Sequence, residues 1–193
     1  MPNAFYYFLC SLPSLHYGKV PKRTHEAFLA ECSQHVSPEQ FALLSSLSLN
    51  PADLPERNLP SVLVAWKDWE TDLRNAMAEV RARRMHLSQT GSNWQRPTSD
   101  IYPTDRKRAE DILGAMTGRE QDEALDNLRW QKLEELGSSH HFDFASLLVY
   151  TLKSLLLEKA RATQVEAGDK FFSELSEAAE KQALTSLEKV VSC

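Results

Sequence analysis

The chain has 193 residues, of which 42% are hydrophobic and 25% charged, and its net charge is −5. This size suits one domain, and the apolar content is enough for a sizeable core beneath a charged surface. The mild negative charge argues against a general affinity for nucleic acid or anionic lipid. We therefore expect a single helical domain over residues 1–193, with one candidate internal boundary at 88–103.

The three cysteines (Cys10, Cys32 and Cys193) lack metal or redox spacing, so we expect free thiols in a reducing compartment. The first apolar run has no basic segment before it, which argues against a signal peptide. No apolar run reaches the roughly 18 residues that a membrane span needs. These features predict a cytoplasmic protein without direct membrane insertion, which reaches the inner face of the cell membrane only through partners.

The first elements are short. The apolar run 4–12 is ambiguous between a strand and a buried helix, and a helix is expected over about 24–35. The next helix begins after Ser37, because Ser37 can cap it and Pro38 suits its first position. Gln40 can complete a capping box with Ser37.

The longest helical pattern covers about 61–87. Its apolar residues recur at spacings of three and four: Val62, Trp66, Trp69, Leu73, Met77 and Val80. Ion pairs four residues apart, Glu70 with Arg74 and Glu79 with Arg83, are expected to support it. At 1.5 Å per residue such a helix is about 40 Å long, so one end is expected to project or to meet a partner.

Residues 88–103 are polar, contain prolines and lack any period, which predicts a mobile loop. Thr104 or Asp105 is expected to cap the following helix, which should reach about Met116 and end at Gly118. Because glycine is scarce and strand-like alternation is rare, the chain as a whole is predicted to be all-α. We expect a compact bundle of about six or seven helices.

Three further helices are predicted at about 121–136, 143–162 and 165–191. Helix 143–162 is apolar nearly all round, so we expect it to be central to the bundle, with docking on a partner as the alternative. Asp143 should cap this helix. The turn at 142–144 is expected to belong to the same core element.

Two side chains near this helix each have two possible environments. Trp130 is expected to pack against helix 143–162, with a role as surface anchor as the alternative. Lys153 carries the only charge between residues 144 and 157. We expect its ammonium group to reach solvent along the apolar helix, and pairing with a carboxylate is the alternative.

An ordered set of residues gives a resemblance to a known family. It consists of Leu125, Asp126, Arg129, Trp130, Leu133, Phe142, Asp143, Phe144, Leu148, Val149, Tyr150, Leu152, Lys153, Leu156, Leu157 and Glu158. This set resembles the C-terminal part of an uncharacterised bacterial family encoded among V-type (archaeal-type) ATPase subunits. It is more distantly similar to the all-helical C-type subunit of those ATPases, which is called d in eukaryotes. The opening from Phe5 to Pro13 is similar to the N-terminus of that family, and the resemblance covers about 120–175 and the first dozen residues.

The C-type subunit of these ATPases lies between the central stalk and the membrane-embedded proteolipid ring and transmits torque without chemistry of its own. The resemblance therefore implies a non-catalytic subunit or accessory protein of a proton- or sodium-pumping V-type ATPase or ATP synthase. Its partners would be the central stalk and/or the proteolipid ring. The chain is much shorter than the full-length C-type subunit with its three helical lobes, so a reduced form is implied. The structural signature residues are Trp130, Phe142, Asp143, Phe144, Tyr150 and Lys153.

Basic residues supply candidate contacts with partners. Arg81 and Arg84 lie near the C-terminus of the long helix, where the helix dipole already favours cations. Arg106, Lys107 and Arg108 open a helix, where the dipole disfavours them, and are therefore the better candidates for contact with an acidic partner.

No nucleophile motif and no glycine-rich phosphate loop occurs in the sequence, so no catalytic residue, cofactor or small-molecule substrate is predicted. His140 and His141 are adjacent and lack companion ligands, so a loop placement is expected rather than a metal site. Two alternative functions stay open. One is a generic helical protein-interaction adaptor. The other is a helical nucleic-acid-binding domain, which would need the basic clusters to form one stripe with an exposed aromatic such as Trp94.

Overall fold

The computed structural model describes residues 2–19, 21–86 and 95–162, with side chains from Tyr6 onward. These residues form helices and no strand, which confirms the predicted all-α class. The seven helices are α1 (Pro2–Ser11), α2 (His25–Cys32), α3 (Pro38–Ser45), α4 (Ser61–Arg84), α5 (Pro103–Ala115), α6 (Gly118–Gly137) and α7 (Phe144–Ala162). Among these helices, none is both long and apolar enough to cross a bilayer.

The chain divides into two units, Met1–Glu158 and Lys159–Cys193. The helix predicted over 165–191 lies outside the described residues. The organisation of 1–193 as one domain stays a prediction.

The N-terminal helices follow from local sequence signals. The ambiguous run 4–12 forms most of α1. The predicted capping box at the start of α3 is confirmed, because the Gln40 amide donates to Ser37 Oγ over 3.2 Å and the Ser37 amide donates to Gln40 Oε1 over 3.1 Å. Helix α2 is shorter than predicted, since it starts after the capping hydroxyl of Thr24 and ends at Cys32.

Helix α4 supplies the centre of the core. Five of its six predicted apolar positions are buried, namely Val62, Trp66, Trp69, Leu73 and Val80. Helices α4, α5 and α6 pack against one another around them. The predicted pair of Glu79 with Arg83 is wrong, because Arg83 binds Glu110 of α5 over 2.9 Å and Glu79 binds Arg106 over 2.7 Å.

The irregular segment 95–102 lies along one polar stripe of α4. Four side chains form this stripe at spacings of three or four residues: Asp68, Asp72, Asn75 and Glu79. The Asn75 amide donates to the Arg96 carbonyl over 2.8 Å and accepts from the Arg96 amide over 3.0 Å. The Tyr102 amide donates to Asp72 over 3.0 Å. The described part of the predicted mobile loop 88–103 is therefore anchored, because α4 satisfies its backbone groups.

The boundaries around α5 also differ from the prediction. The helix begins at Pro103, and the predicted caps Thr104 and Asp105 both lie inside it. Asp105 instead accepts a hydrogen bond from the Trp69 indole over 2.8 Å, which joins α5 to α4. Gly118 begins α6 instead of ending α5, and its φ of +59° explains why glycine suits this sharp junction.

Helix α7 is a core element, as its apolar sequence predicted. Its large side chains that are fully buried are Leu147, Leu148, Leu152 and Leu156. The predicted cap is confirmed, because the Ser146 amide donates to Asp143 Oδ1 over 2.8 Å. Val149 packs closely against Gly137 of α6, where an added Cβ would lie 3.2 Å from a Val149 methyl group.

Replacing Leu148 by alanine is expected to lower the free energy of unfolding by about 2–5 kcal/mol, because the truncation leaves a cavity in the core. Urea denaturation measures this loss. The control is Val64→Ala on α4, where the side chain is 49% exposed. That change is expected to cost less than about 1 kcal/mol. Equal losses in the two variants would contradict the placement of α7 in the core.

Candidate interaction surface

A groove opens along α7 beside the segment that follows α1. One cavity of about 290 Å³ has an apolar floor made by Leu9, Leu12, Pro13 and Leu15. A second cavity of about 350 Å³ lies next to it. Both are lined by Ser146, Tyr150 and Lys153, so they form one continuous surface, which we call the α7 groove.

Tyr150 fixes the wall of this groove. Its hydroxyl donates to the Pro13 carbonyl over 3.1 Å, and the centroid of its ring lies 4.9 Å from the ring centroid of Phe28 on α2. Burial raises the pKa of Tyr150 to about 12, so the phenol stays protonated and keeps donating. The side chain therefore ties α7 to two earlier parts of the chain.

Three exposed aromatic side chains lie beside the groove and form the aromatic ledge: Tyr6, Tyr7 and Phe142. They are 45%, 69% and 50% exposed, respectively. The centroid of the Tyr6 ring lies 4.6 Å from the Phe142 ring centroid and 5.8 Å from the Tyr7 ring centroid. The expectation that the turn at 142–144 belongs to the core is wrong for Phe142, because the turn projects its side chain outward.

Lys153 lies across the groove and is held by two partners on α6. Its Nζ atom is 4.9 Å from the centroid of the Trp130 ring and 3.6 Å from Glu134 Oε1. Burial lowers the pKa of Lys153, and the Glu134 carboxylate offsets part of that effect. The expected packing of Trp130 against α7 is confirmed. For Lys153 the structure shows the alternative of a carboxylate partner, since α6 comes close enough to supply one.

His140 and His141 lie between α6 and α7, as the loop prediction required. His140 Nδ1 is 2.7 Å from Asp143 Oδ2, while the exposed His141 lines the groove. Burial alone would raise the pKa of Asp143, but hydrogen bonds from the Ser146 amide and from His140 lower it overall. Among the described residues, no group of three or more potential metal ligands is placed to hold an ion.

Arg106, a predicted partner contact, forms ion pairs within the chain, and its contact with a partner stays a prediction. Its guanidinium donates to Asp72 and to Glu79, each over 2.7 Å. Burial opposes the charged form, yet these two carboxylates raise the pKa of Arg106 above its usual value. The unfavourable start of α5 is therefore compensated by acidic residues of α4, which the sequence pattern did not place nearby.

The other predicted basic contacts do not share one environment. Arg84 donates to the Leu113 carbonyl, and Arg108 donates to the side chain of Gln131 over 2.7 Å. Lys107 and Arg81 are exposed. Contact of these residues with a partner stays a prediction. The ion pairs of Arg106 with Asp72 and Glu79 neutralise part of the charge that a nucleic-acid-binding stripe would need.

The sequence pattern did not reveal a buried charge cluster between α4 and α6. Arg129, which is 8% exposed, donates to Glu70, which is 0% exposed, through contacts of 3.0–3.2 Å. It also donates to Asp126 over 2.9 Å, and Arg74 binds the Glu70 carboxylate from its solvent side over 2.7 Å. Burial disfavours the Arg129 cation, but Glu70 and Asp126 outweigh it and raise its pKa. The sequence indicates this cluster only by placing Glu70 and Arg129 next to apolar core residues.

Arg129→Met is expected to destabilise the protein by about 3–5 kcal/mol, because Glu70 would be left as a buried charge with a weaker partner set. Adding Glu70→Gln and Asp126→Asn should restore part of the loss. The matched control on α6 is Arg119→Met, which breaks the exposed pair with Glu123. That change is expected to cost less than about 1 kcal/mol. Urea denaturation measures the free energy of unfolding of all three variants. If Arg129→Met lowers it no more than Arg119→Met does, the assigned role of Arg129 is refuted.

His25 joins α2 to α7. Its amide donates to Glu158 Oε1 over 2.9 Å, and its ring Nδ1 lies 3.2 Å from Ser154 Oγ. Burial lowers the pKa of His25, although Glu158 and Glu26 oppose the shift. The folded protein therefore favours the neutral ring.

The pKa of His25 in the folded protein is below its unfolded value of 6.5. Above that pH the ring is mostly neutral in both states, so His25 does not lower the free energy of unfolding there. As the pH falls below it, the unfolded chain gains the proton first and stability decreases. His25→Gln is expected to reduce the stability difference between pH 7.5 and 5.5, measured by urea denaturation. His16→Gln, at an exposed position, is the control. An unchanged difference in His25→Gln would contradict the proposed coupling.

The comparisons with known proteins concern the part of the chain that includes α6 and α7. A family model described as "Protein of unknown function (DUF2764)" matches residues 108–183. The match overlaps the stretch of about 120–175 on which the resemblance depends. No curated protein and no solved structure matches the chain. Over residues 108–183 the chain is therefore similar to a family whose description leaves its activity open.

Proposed function

We propose that the chain is a non-catalytic subunit or accessory protein of a V-type ATPase. It would link the soluble sector or the central stalk to the membrane ring, as a reduced form of the C-type subunit. The observation that carries the binding role is the aromatic ledge beside the α7 groove. The identity of the partner depends on the residue resemblance over about 120–175.

The ledge has the composition of a protein-binding site. Aromatic side chains bury large areas at little conformational cost and are enriched among the residues that dominate interface energies. In this chain Tyr6 and Phe142 already contact each other, so a partner would meet a partly ordered surface. That preorganisation lowers the entropy lost on binding.

The groove is also supported by rigid structure. Its wall is α7, whose opposite face contains the fully buried Leu148 and Leu152. The Tyr150 hydroxyl and the Lys153 ammonium are both held by contacts within the chain. A surface on a core helix can transmit force between partners without local unfolding, which suits a linking protein.

Affinity purification of the tagged full chain from detergent-solubilised membranes of the source organism tests this function. We expect co-purification of ATPase proteins of the catalytic head, the central stalk or the proteolipid ring, identified by mass spectrometry. An untagged strain controls for background. Recovery of none of these proteins from membranes that contain the intact ATPase would sink the proposal.

The same purified chain separates the alternatives. Stoichiometric recovery of other proteins instead would favour a generic adaptor. Retention on heparin that weakens steeply with added salt would favour nucleic-acid binding. Neither result is expected.

A further inference from the structure

We infer that the α7 groove receives an amphipathic helix of an ATPase subunit, whose apolar side chains cover the aromatic ledge and whose carboxylate faces His141 and Lys153. This inference rests on the proposed function and names the surface and the chemistry of its partner. Four observations support it.

The first observation is the concentration of exposed apolar surface. Six large hydrophobic side chains are exposed among the described residues, and three of them form the aromatic ledge. Exposed hydrophobic residues scattered singly need no explanation, whereas a contiguous patch beside a groove marks an interaction site. The ledge and the apolar floor of the groove together offer one apolar surface to a partner.

The second observation is the backbone conformation of Phe142. Its φ is +59°, a left-handed conformation that a bulky side chain rarely adopts. Glycine would adopt it without steric cost, so the turn itself does not require an aromatic residue. Strained conformations of this kind cluster at binding sites. The side chain of Phe142 is thus directed toward solvent at a local cost, which contact with a partner would explain.

The third observation is the charge of the groove. The described side chains that line the first cavity include Lys153, His140 and His141 but no carboxylate, although the chain as a whole is acidic. Glu134 lines the second cavity, and its Oε1 atom lies 3.6 Å from the Lys153 Nζ atom. His140 already contacts Asp143. An acidic side chain of a partner could still accept hydrogen bonds from the exposed His141 ring and from the Lys153 ammonium group, which has three donors, and this would orient the partner in the groove.

The fourth observation concerns the form of the partner segment. An amphipathic helix binds by laying its apolar face into a hydrophobic groove. Its apolar side chains recur every three or four residues along the groove, with a polar face beside them. The α7 groove, with an apolar floor and one basic side, matches such a helix.

Binding of the full chain to ATPase-containing membrane vesicles tests the inference. The vesicles come from a strain of the source organism that lacks this chain, and immunoblotting verifies that the ATPase is present. Co-sedimentation then gives the dissociation constant of the wild-type protein and of four variants. The variants are Phe142→Gly, His141→Glu, His141→Lys and the control Val64→Ser.

Phe142→Gly and His141→Glu are each expected to weaken binding by about tenfold or more, since one removes apolar contact and the other repels a carboxylate. His141→Lys is expected to strengthen binding, and Val64→Ser, which alters an exposed apolar residue of α4, is expected to leave it unchanged. The melting temperature of Phe142→Gly should be within about 4 °C of the wild-type value, because the substitution relieves backbone strain. Loss of binding in this variant then reports the interface and not the fold.

The outcomes separate this inference from the proposed function. If the wild type binds the vesicles and all variants bind equally well, the groove is overturned and the proposed function stands. If His141→Lys and His141→Glu weaken binding alike, the acidic partner is overturned. If the wild type does not bind vesicles that contain the ATPase, the proposed function fails, and the inference fails with it.

Discussion

The contact between Arg129 of α6 and Glu70 of α4 is the constraint around which the described helices are arranged. Both side chains are removed from solvent, and each needs the other because an unpaired buried charge costs several kcal/mol. The pair therefore permits only those arrangements of α4 and α6 that keep the two groups in contact. Asp126 supplies a second carboxylate to Arg129 from the same helix. An apolar core alone would tolerate more ways of packing these helices.

Helix α4 carries two different kinds of contact. Its apolar face, with Trp66 and Trp69, packs into the core with α5 and α6. Its polar stripe satisfies the backbone of segment 95–102 through Asp72 and Asn75. Backbone groups need hydrogen-bond partners, and in this irregular segment the side chains of α4 supply some of the partners that regular secondary structure would otherwise provide. Helix α4, one end of which was expected to project or to meet a partner, therefore makes many of its contacts with other parts of its own chain.

Helix α7 carries the surface with the best claim to a binding role. The residue resemblance and the family match both include this helix, and its first turns and the turn before it form one side of the groove and part of the ledge. The side chains that make the surface are supported from inside, since Lys153 lies over Trp130 and Tyr150 binds the segment after α1. The family match thus covers the α7 side of the candidate binding surface, while the floor of the groove and two of the three ledge residues come from the first 15 residues of the chain.

Local patterns in the sequence determined the all-α class, the capping box at Ser37, the cap at Asp143 and the burial of the apolar faces of α4 and α7. Each depends on residues within a few positions of one another, so helical periodicity and capping chemistry suffice to predict it. Only the tertiary structure decided the partners of the charged side chains. Arg106, expected to face a partner, is paired with Asp72, which lies 34 residues away in sequence. Arg129 likewise meets a residue 59 positions away. Electrostatic partners are selected by the packing of helices in space, which the local pattern around each residue does not contain.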